Sequence, residues 1–157
     1  MRRKDREIVD PAEIARIMAR CQVVNIAFGG DSPYVIPMNF GFTREDGRFC
    51  LYLHGAGEGE KLRRMRDDPR AAFSMFTGET LLLDGAACGG TMDFESVCGS
   101  GVLTSVEGEE KLRGLRALME QLAPGREWTF KEAMLRAVTV LRLDVEHICG
   151  KRHSTAR

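Results

Sequence analysis

The residues best suited to chemistry fall within one short stretch, His54-Gly55-Ala56-Gly57-Glu58-Gly59-Glu60-Lys61. Glycines ahead of a helix start leave backbone N–H groups open to an anion, and the positive end of the helix dipole adds to the attraction. Lys61 supplies a point charge beside them. The ligand such a turn suits is a phosphate. His54 brings a ring that can give a proton near neutral pH. Two apolar runs precede the turn, Tyr34 to Phe42 and Phe49 to His54. Together they describe a nucleotide cofactor lying along a sheet.

Plainer roles stay open for the same side chains. His54 is either a pocket residue or a hydrogen-bonded histidine at a strand end. Lys61 either meets the phosphate or belongs to a solvated basic helix with Arg63, Arg64 and Arg66. Asn39, between Met38 and Phe40, suits the edge of a bound cofactor or a turn-forming core amide. Trp128 reads as a packing residue near a dimer surface. Lys151, Arg152 and His153 read as a solvated tail or as a cover over a neighbouring pocket.

Other chemistries find little support. The three histidines, His54, His147 and His153, complete no Ser-His-Asp or Cys-His pattern. Gly57-Glu58-Gly59 lacks the βαβ context of a dinucleotide fold. The five cysteines, Cys21, Cys50, Cys88, Cys98 and Cys149, form no C-x-x-C pair. No zinc or other metal site is expected, and the thiols read as small buried groups in a reducing compartment.

The elements that position the turn can be read from cap and period signals. Asp10-Pro11-Ala12-Glu13 starts a helix that carries Ile14, Ile17 and Met18 and ends near Cys21. Gln22 to Phe28 is a strand, and Gly29-Gly30-Asp31-Ser32 turns it back into Tyr34 to Phe42. Asp46-Gly47 makes a hairpin to Phe49 to His54. Glu58 to Asp67 is a short helix stopped by Pro69. Arg70 to Phe76, Thr80 to Leu83 and Glu95 to Val106 are further strands. Gly99 and Gly101 mark a bulge or a close backbone approach. Gly108 to Leu122 is an amphipathic helix, and Thr129 to Arg136 is a second helical stretch. Val138 to Ile148 alternates as a half-exposed final strand. This predicts a mainly β fold, a small antiparallel barrel with helices at its connections, in one domain over residues 1–149 with a polar tail over 150–157. Apolar faces left uncovered on one such barrel point to a dimer.

Composition agrees with a globular chain: 157 residues, 43% hydrophobic and 29% charged, are enough for one core and too apolar for global disorder. Lys plus Arg and Asp plus Glu balance at 23 each, which argues against a nucleic-acid or membrane-surface partner. The basic opening, Arg2, Arg3, Lys4 and Arg6, is not followed by an apolar run, and no stretch reaches a membrane span. A cytoplasmic protein is expected.

With these motifs in order, the sequence resembles a known group. Tyr34-Val35-Ile36-Pro37-Met38-Asn39-Phe40-Gly41, then Leu51-Tyr52-Leu53-His54-Gly55-Ala56, then Gly59-Glu60-Lys61-Leu62 are similar to the nitroimidazole-resistance (Nim) group. That group belongs to the pyridoxamine 5′-phosphate oxidase-like, FMN-binding split-barrel superfamily. Arg2 to Ile8 looks like the group's opening segment, and Phe94-Glu95-Ser96-Val97 with Gly99-Ser100-Gly101 resembles a later strand.

The resemblance implies a homodimer of six-stranded antiparallel split barrels with two FMN sites at the subunit interface. Carried over by position, Pro37, Met38, Asn39 and Phe40 line the isoalloxazine ring. His54, Gly55 and Ala56 lie at the ring-to-ribityl side, and Lys61 and Leu62 at the phosphate. Glu95 and Ser96 come near the pocket. The implied activity is an FMN-dependent oxidoreductase with His54 as its catalytic group. A reduced nicotinamide or another donor supplies electrons, and a nitroimidazole or similar small flat molecule accepts them. A non-catalytic flavin-binding protein, or a split barrel using haem or a deazaflavin, are the other readings. Glu60 departs from the group, where a basic residue is common, and bears on FMN affinity rather than on fold.

Overall fold

The Asp10 carboxylate accepts hydrogen bonds from the N–H groups of Ala12 and Glu13 at 3.1 and 3.3 Å, so the first helix, α1 (Pro11–Met18), begins where the cap signal places it. In the computed structural model, which describes residues 3–83, 85 and 87–155, seven strands follow the chain: β1 (Glu7–Ile8), β2 (Val23–Phe28), β3 (Tyr34–Glu45), β4 (Arg48–Gly55), β5 (Arg70–Leu82), β6 (Thr91–Val106) and β7 (Thr139–His153). Three more helices are α2 (Glu60–Asp67), α3 (Gly108–Leu122) and α4 (Glu132–Ala137). Arg2 of the basic opening and residues 156–157 of the expected tail lie outside the described residues.

All strand pairs are antiparallel. The order is β1-β7-β4-β3-β2-β5-β6, and β6 also pairs with β7. The six long strands therefore return on themselves, while β1 adds two residues to the edge of β7. Val140 to Asp144 pair with β4 on one side and β6 on the other. Further along, β7 holds β6 and, at Gly150 and Lys151, β1. The β3–β4 hairpin turns on Asp46 and Gly47, with φ of 49° and 78°, the paired left-handed conformations a two-residue turn of this hand needs.

Strand alternation sends one face of each strand into the barrel. Val24, Ile26, Phe40, Leu51, Leu53, Phe73, Val97 and Leu143 form its core, and Ile14, Ile17 and Met18 of α1 and Leu62 of α2 pack against them. A second cluster lies outside, where Leu115 and Leu118 of α3 pack on Tyr52 and Val140. α3 comes so near that a β-carbon at Gly41 would fall on the Ala117 backbone.

Three expectations need correction. The two short strands expected over 70–83 are one strand, irregular between Thr77 and Thr80, where Gly78 has φ of 72°. The polar tail begins later: Gly150 to His153 belong to β7, held by main-chain pairing with β6. Arg152 bonds Glu95, and His153 Nδ1 lies 2.8 Å from the Met92 carbonyl. The cysteines are not uniformly buried, since only Cys21 is fully so, whereas Cys50 and Cys149 are half-buried and Cys88 and Cys98 exposed. An apolar run in sequence still turns every second side chain outward. Among the described residues, no helix is long and apolar enough to cross a membrane.

Candidate functional site

β3 divides its expected ring-lining residues between two faces. Met38 and Phe40 point inward and pack in the core, with Phe40 fully buried. Phe40 therefore offers no side-chain surface outside the barrel, whereas Met38 is half-buried. Pro37 and Asn39 point outward and are exposed. The Asn39 amide donates to the Gln22 carbonyl at 3.0 Å, which fixes the side chain and leaves its oxygen facing out. One step beyond the Phe40–Leu53 pair, Asn39 stands beside His54. Pro37, Asn39 and His54 thus form an outward ribbon across β3 and β4.

His54 makes no hydrogen bond or ion pair through its ring among the described residues. The strand-end capping role therefore has no support. Its ring instead lines a cavity of about 270 Å³ between α3 and α4, walled by Leu115, Leu118, Leu122, Phe130, Met134 and Leu135. One proton-bearing ring in an apolar wall can orient a small flat molecule and reach one polar atom of it.

β4 then opens into Gly55, Ala56 and the glycine turn. α2 starts after Gly59, whose φ of 121° only glycine takes readily. No side chain caps this helix, which leaves its first N–H groups without a side-chain acceptor. The Lys61 ammonium folds back to lie 2.5 Å from where a β-carbon of Gly55 would be. Among the described residues, no carboxylate or carbonyl pairs with it. A cation with no acceptor thus sits at the end of β4, beside an uncapped helix start. Those features fit a phosphate.

Glu60 does not oppose that charge. Its carboxylate turns along its own helix to Arg63 at 2.6 Å and Arg64 at 2.7 Å. These hydrogen bonds, Arg63 first, lower its pKa to about 2. Arg64 goes on to bond the Gly29 and Ser32 carbonyls and sits over the Tyr34 ring, tying α2 to the β2–β3 turn. Leu62 has its side chain buried in the core, which leaves its main chain near the turn. Alternation along β4 also puts the missing Gly55 β-carbon on the Leu53 face. Lys61 and His54 therefore approach the strand end from opposite sides.

Glu95 and Ser96 lie elsewhere. They sit on β6, separated from β3 by β2 and β5. Glu95 is held in an ion cluster with Arg20, just past the end of α1, and Arg152, which also reaches Glu13 of α1 at 2.5 Å. That cluster anchors α1 to the barrel and leaves Glu95 committed. Ser96 faces outward, between Phe76 and Lys151 in the register. One chain does not bring either residue to the ribbon.

A family model described as pyridoxamine 5′-phosphate oxidase matches residues 10–152. The chain belongs to that family. Solved structures agree. A Bacteroides thetaiotaomicron protein provisionally described as a 5-nitroimidazole antibiotic resistance protein is similar at 26% identity and TM-score 0.79, over 93% of this chain and 86% of that one. A FAD- and heme-binding protein of Mycobacterium smegmatis is 19% identical at TM-score 0.81, over 95% and 74%. The flavocytochrome Anf3 of Azotobacter vinelandii is 19% identical at 0.78, over 98% and 72%. The latter two show the split-barrel fold. No curated protein matches the chain.

Sequence reasoning within this oxidase family missed the outer seat of α3. The Tyr52 hydroxyl donates to the Glu110 carboxylate at 2.6 Å, and Glu110 also meets Arg142 at 3.3 Å. Burial first, then Glu110, pushes the Tyr52 hydroxyl up to about 12. Gly114 lets the Tyr52 ring sit where a β-carbon would be, 2.6 Å from Cδ1. The available signal was small: a glycine on the apolar side of a helix, and Cys50, Tyr52 and His54 at the outward period of β4.

Proposed function

We propose that the chain binds FMN where two copies meet and reduces a small flat acceptor, such as a nitroaromatic compound. The observation that carries this reading is the unpaired Lys61 ammonium beside the uncapped start of α2. The N–H groups there and Lys61 hold the phosphate. Pro37 and the fixed Asn39 offer an apolar edge and an acceptor oxygen to a flat ring along the outward ribbon. A bound flavin supplies the hydride and electron transfer, and the protein supplies position. His54 orients the acceptor and gives it a proton, with the apolar wall of the α3–α4 cavity keeping water away.

Two copies are favoured because one chain leaves Val35, Phe76 and Leu81 about 59%, 58% and 62% exposed. Interfaces of obligate dimers bury more than about 2,000 Å². A second copy also supplies a route for Ser96 to reach a ribbon it does not meet within its own chain. The 26% identical Bacteroides thetaiotaomicron protein supports the nitroimidazole side of the reading.

A visible absorption spectrum of the purified protein, with the mass of whatever denaturation releases, tests the cofactor. Flavin bands and the FMN mass are expected. A Soret band would replace the reading by a haem protein. A colourless protein that takes up no added FMN would end it. Turnover of a nitroimidazole with reduced nicotinamide then separates a reductase from a yellow, inactive flavin carrier.

A further inference from the structure

Cys98 and Cys149 stand directly opposite one another in the β6–β7 register, both on the outward face of the barrel. Neighbouring pairs fix that orientation, because Val97 and Gly150 are buried on the inner face beside them. In the single chain Cys98 is exposed and Cys149 half-buried, so a small oxidant reaches the pair there. We propose that Cys98 and Cys149 form a reversible disulfide across the β6–β7 pair. The inference does not rest on the cofactor reading.

Geometry supports the bond. Side chains directly opposite in an antiparallel pair have β-carbons about 4.5–5.5 Å apart, and a disulfide asks for about 3.5–4.5 Å. The strands must close by only a fraction of an ångström to about one. The nearby register shift supplies the give: Ser100 pairs His147 and Gly101 pairs Val145, so Glu146 is an extra residue on β7. A bulge of this kind bends and twists its strand locally. No other cysteine has such a partner. Cys21 bonds the Ile17 carbonyl at 3.4 Å, and Cys50 bonds Asp144, which faces it in the β4–β7 pair, at 3.3 Å.

The chemistry balances with hydrogen peroxide as oxidant. The Cys98 sulfur, the more exposed of the two, breaks the O–O bond and becomes a sulfenic acid as one water leaves. The Cys149 sulfur then attacks that sulfur, the S–O bond breaks, and a second water carries away the other oxygen. Two thiols and one peroxide give one disulfide and two waters. Burial holds the Cys98 thiol above its ordinary pKa, with Cys149 adding to this and Lys151 opposing it. Cys98 therefore rests as a thiol at neutral pH. A low-molecular-weight thiol reverses the bond by exchange.

The test uses the full chain, reduced, freed of reductant and treated with hydrogen peroxide. Denaturing alkylation with N-ethylmaleimide is followed by intact mass and by mapping of the nonreduced digest. The reduced protein should take five adducts, one for each cysteine. The oxidised monomer should take two fewer, and a linked peptide pair containing Cys98 and Cys149 should separate on adding dithiothreitol. Cys98→Ser and Cys149→Ser should each abolish the linkage, and Cys50→Ser should keep it. An unchanged adduct count, a linkage mapping to another cysteine pair, or oxygen added at Cys98 without a bond to Cys149 would each overturn the proposal. The wild-type map decides the matter even where a variant fails to fold.

Discussion

The Lys61 ammonium occupies the space a β-carbon on Gly55 would fill, 2.5 Å away. The obstructing atom is the free end of a flexible side chain, so a methyl group there displaces the lysine at little cost to the fold. Gly55→Ala is expected to melt near the wild-type temperature while its FMN affinity falls by up to about tenfold, the loss of one charge-assisted hydrogen bond. Isothermal titration beside a thermal melt checks this. A large loss of stability with unchanged affinity would assign Gly55 to packing.

His54 is exposed and its ring bonds nothing among the described residues. His54→Ala should therefore leave melting and bound flavin unchanged. Nitro-reduction rate per bound FMN should fall by about 10²–10⁴-fold if the ring is the proton donor. An unchanged normalised rate would leave His54 as one wall of an apolar cavity.

Glu110 couples α3 to the barrel in a pH-dependent way. Its carboxyl is held below the ordinary 4.5, first by the Tyr52 hydroxyl and then, against desolvation, by Arg142. A depressed acid adds stability that is complete above its ordinary value and is lost as pH falls through the lowered one. Glu110→Gln should be less stable than wild type near neutral pH, and the difference should shrink below pH 4.5. Tyr52→Phe removes the same bond and should cost about 1.5–3 kcal/mol. Urea midpoints across the acid range check both, and a constant gap would contradict the linkage.

Gly41 faces the Ala117 backbone, which has no side chain to swing aside. Gly41→Ala must push α3 off β3 and should cost about 1–3 kcal/mol or more. Urea unfolding measures it. A neutral result would mean that α3 is seated loosely.

Much of the fold was legible because its signals are local. Asp10 and Pro11 mark a helix start, Asp46-Gly47 a hairpin, and Leu141, Leu143 and Val145 a strand face. The final strand shows where local reading stops. Glu146 is the extra residue of a bulge, so His147 turns outward with Cys149 and Ile148 turns in. Strict alternation from Leu141, Leu143 and Val145 would instead put His147 on their inward face. In the candidate site, the glycine turn and Lys61 could be read because they are contiguous. The inward packing of Met38, Phe40 and Leu62 depends on register and could not be read, nor could the ion pairs of Glu95, whose partners Arg20 and Arg152 are distant in sequence. The apolar wall around His54 comes from α3 and α4, which sequence spacing does not place.

The most direct test of the phosphate-holding turn is the FMN dissociation constant of Lys61→Ala beside that of Arg66→Ala, read by quenching of flavin fluorescence. Arg66 lies on the same helix, exposed and further from the turn. Lys61→Ala should weaken binding about tenfold or more, the worth of a charge-assisted hydrogen bond of about 1.5–3 kcal/mol, and Arg66→Ala should match wild type. Equal constants for the two variants would contradict the account and return Lys61 to the solvated face of α2.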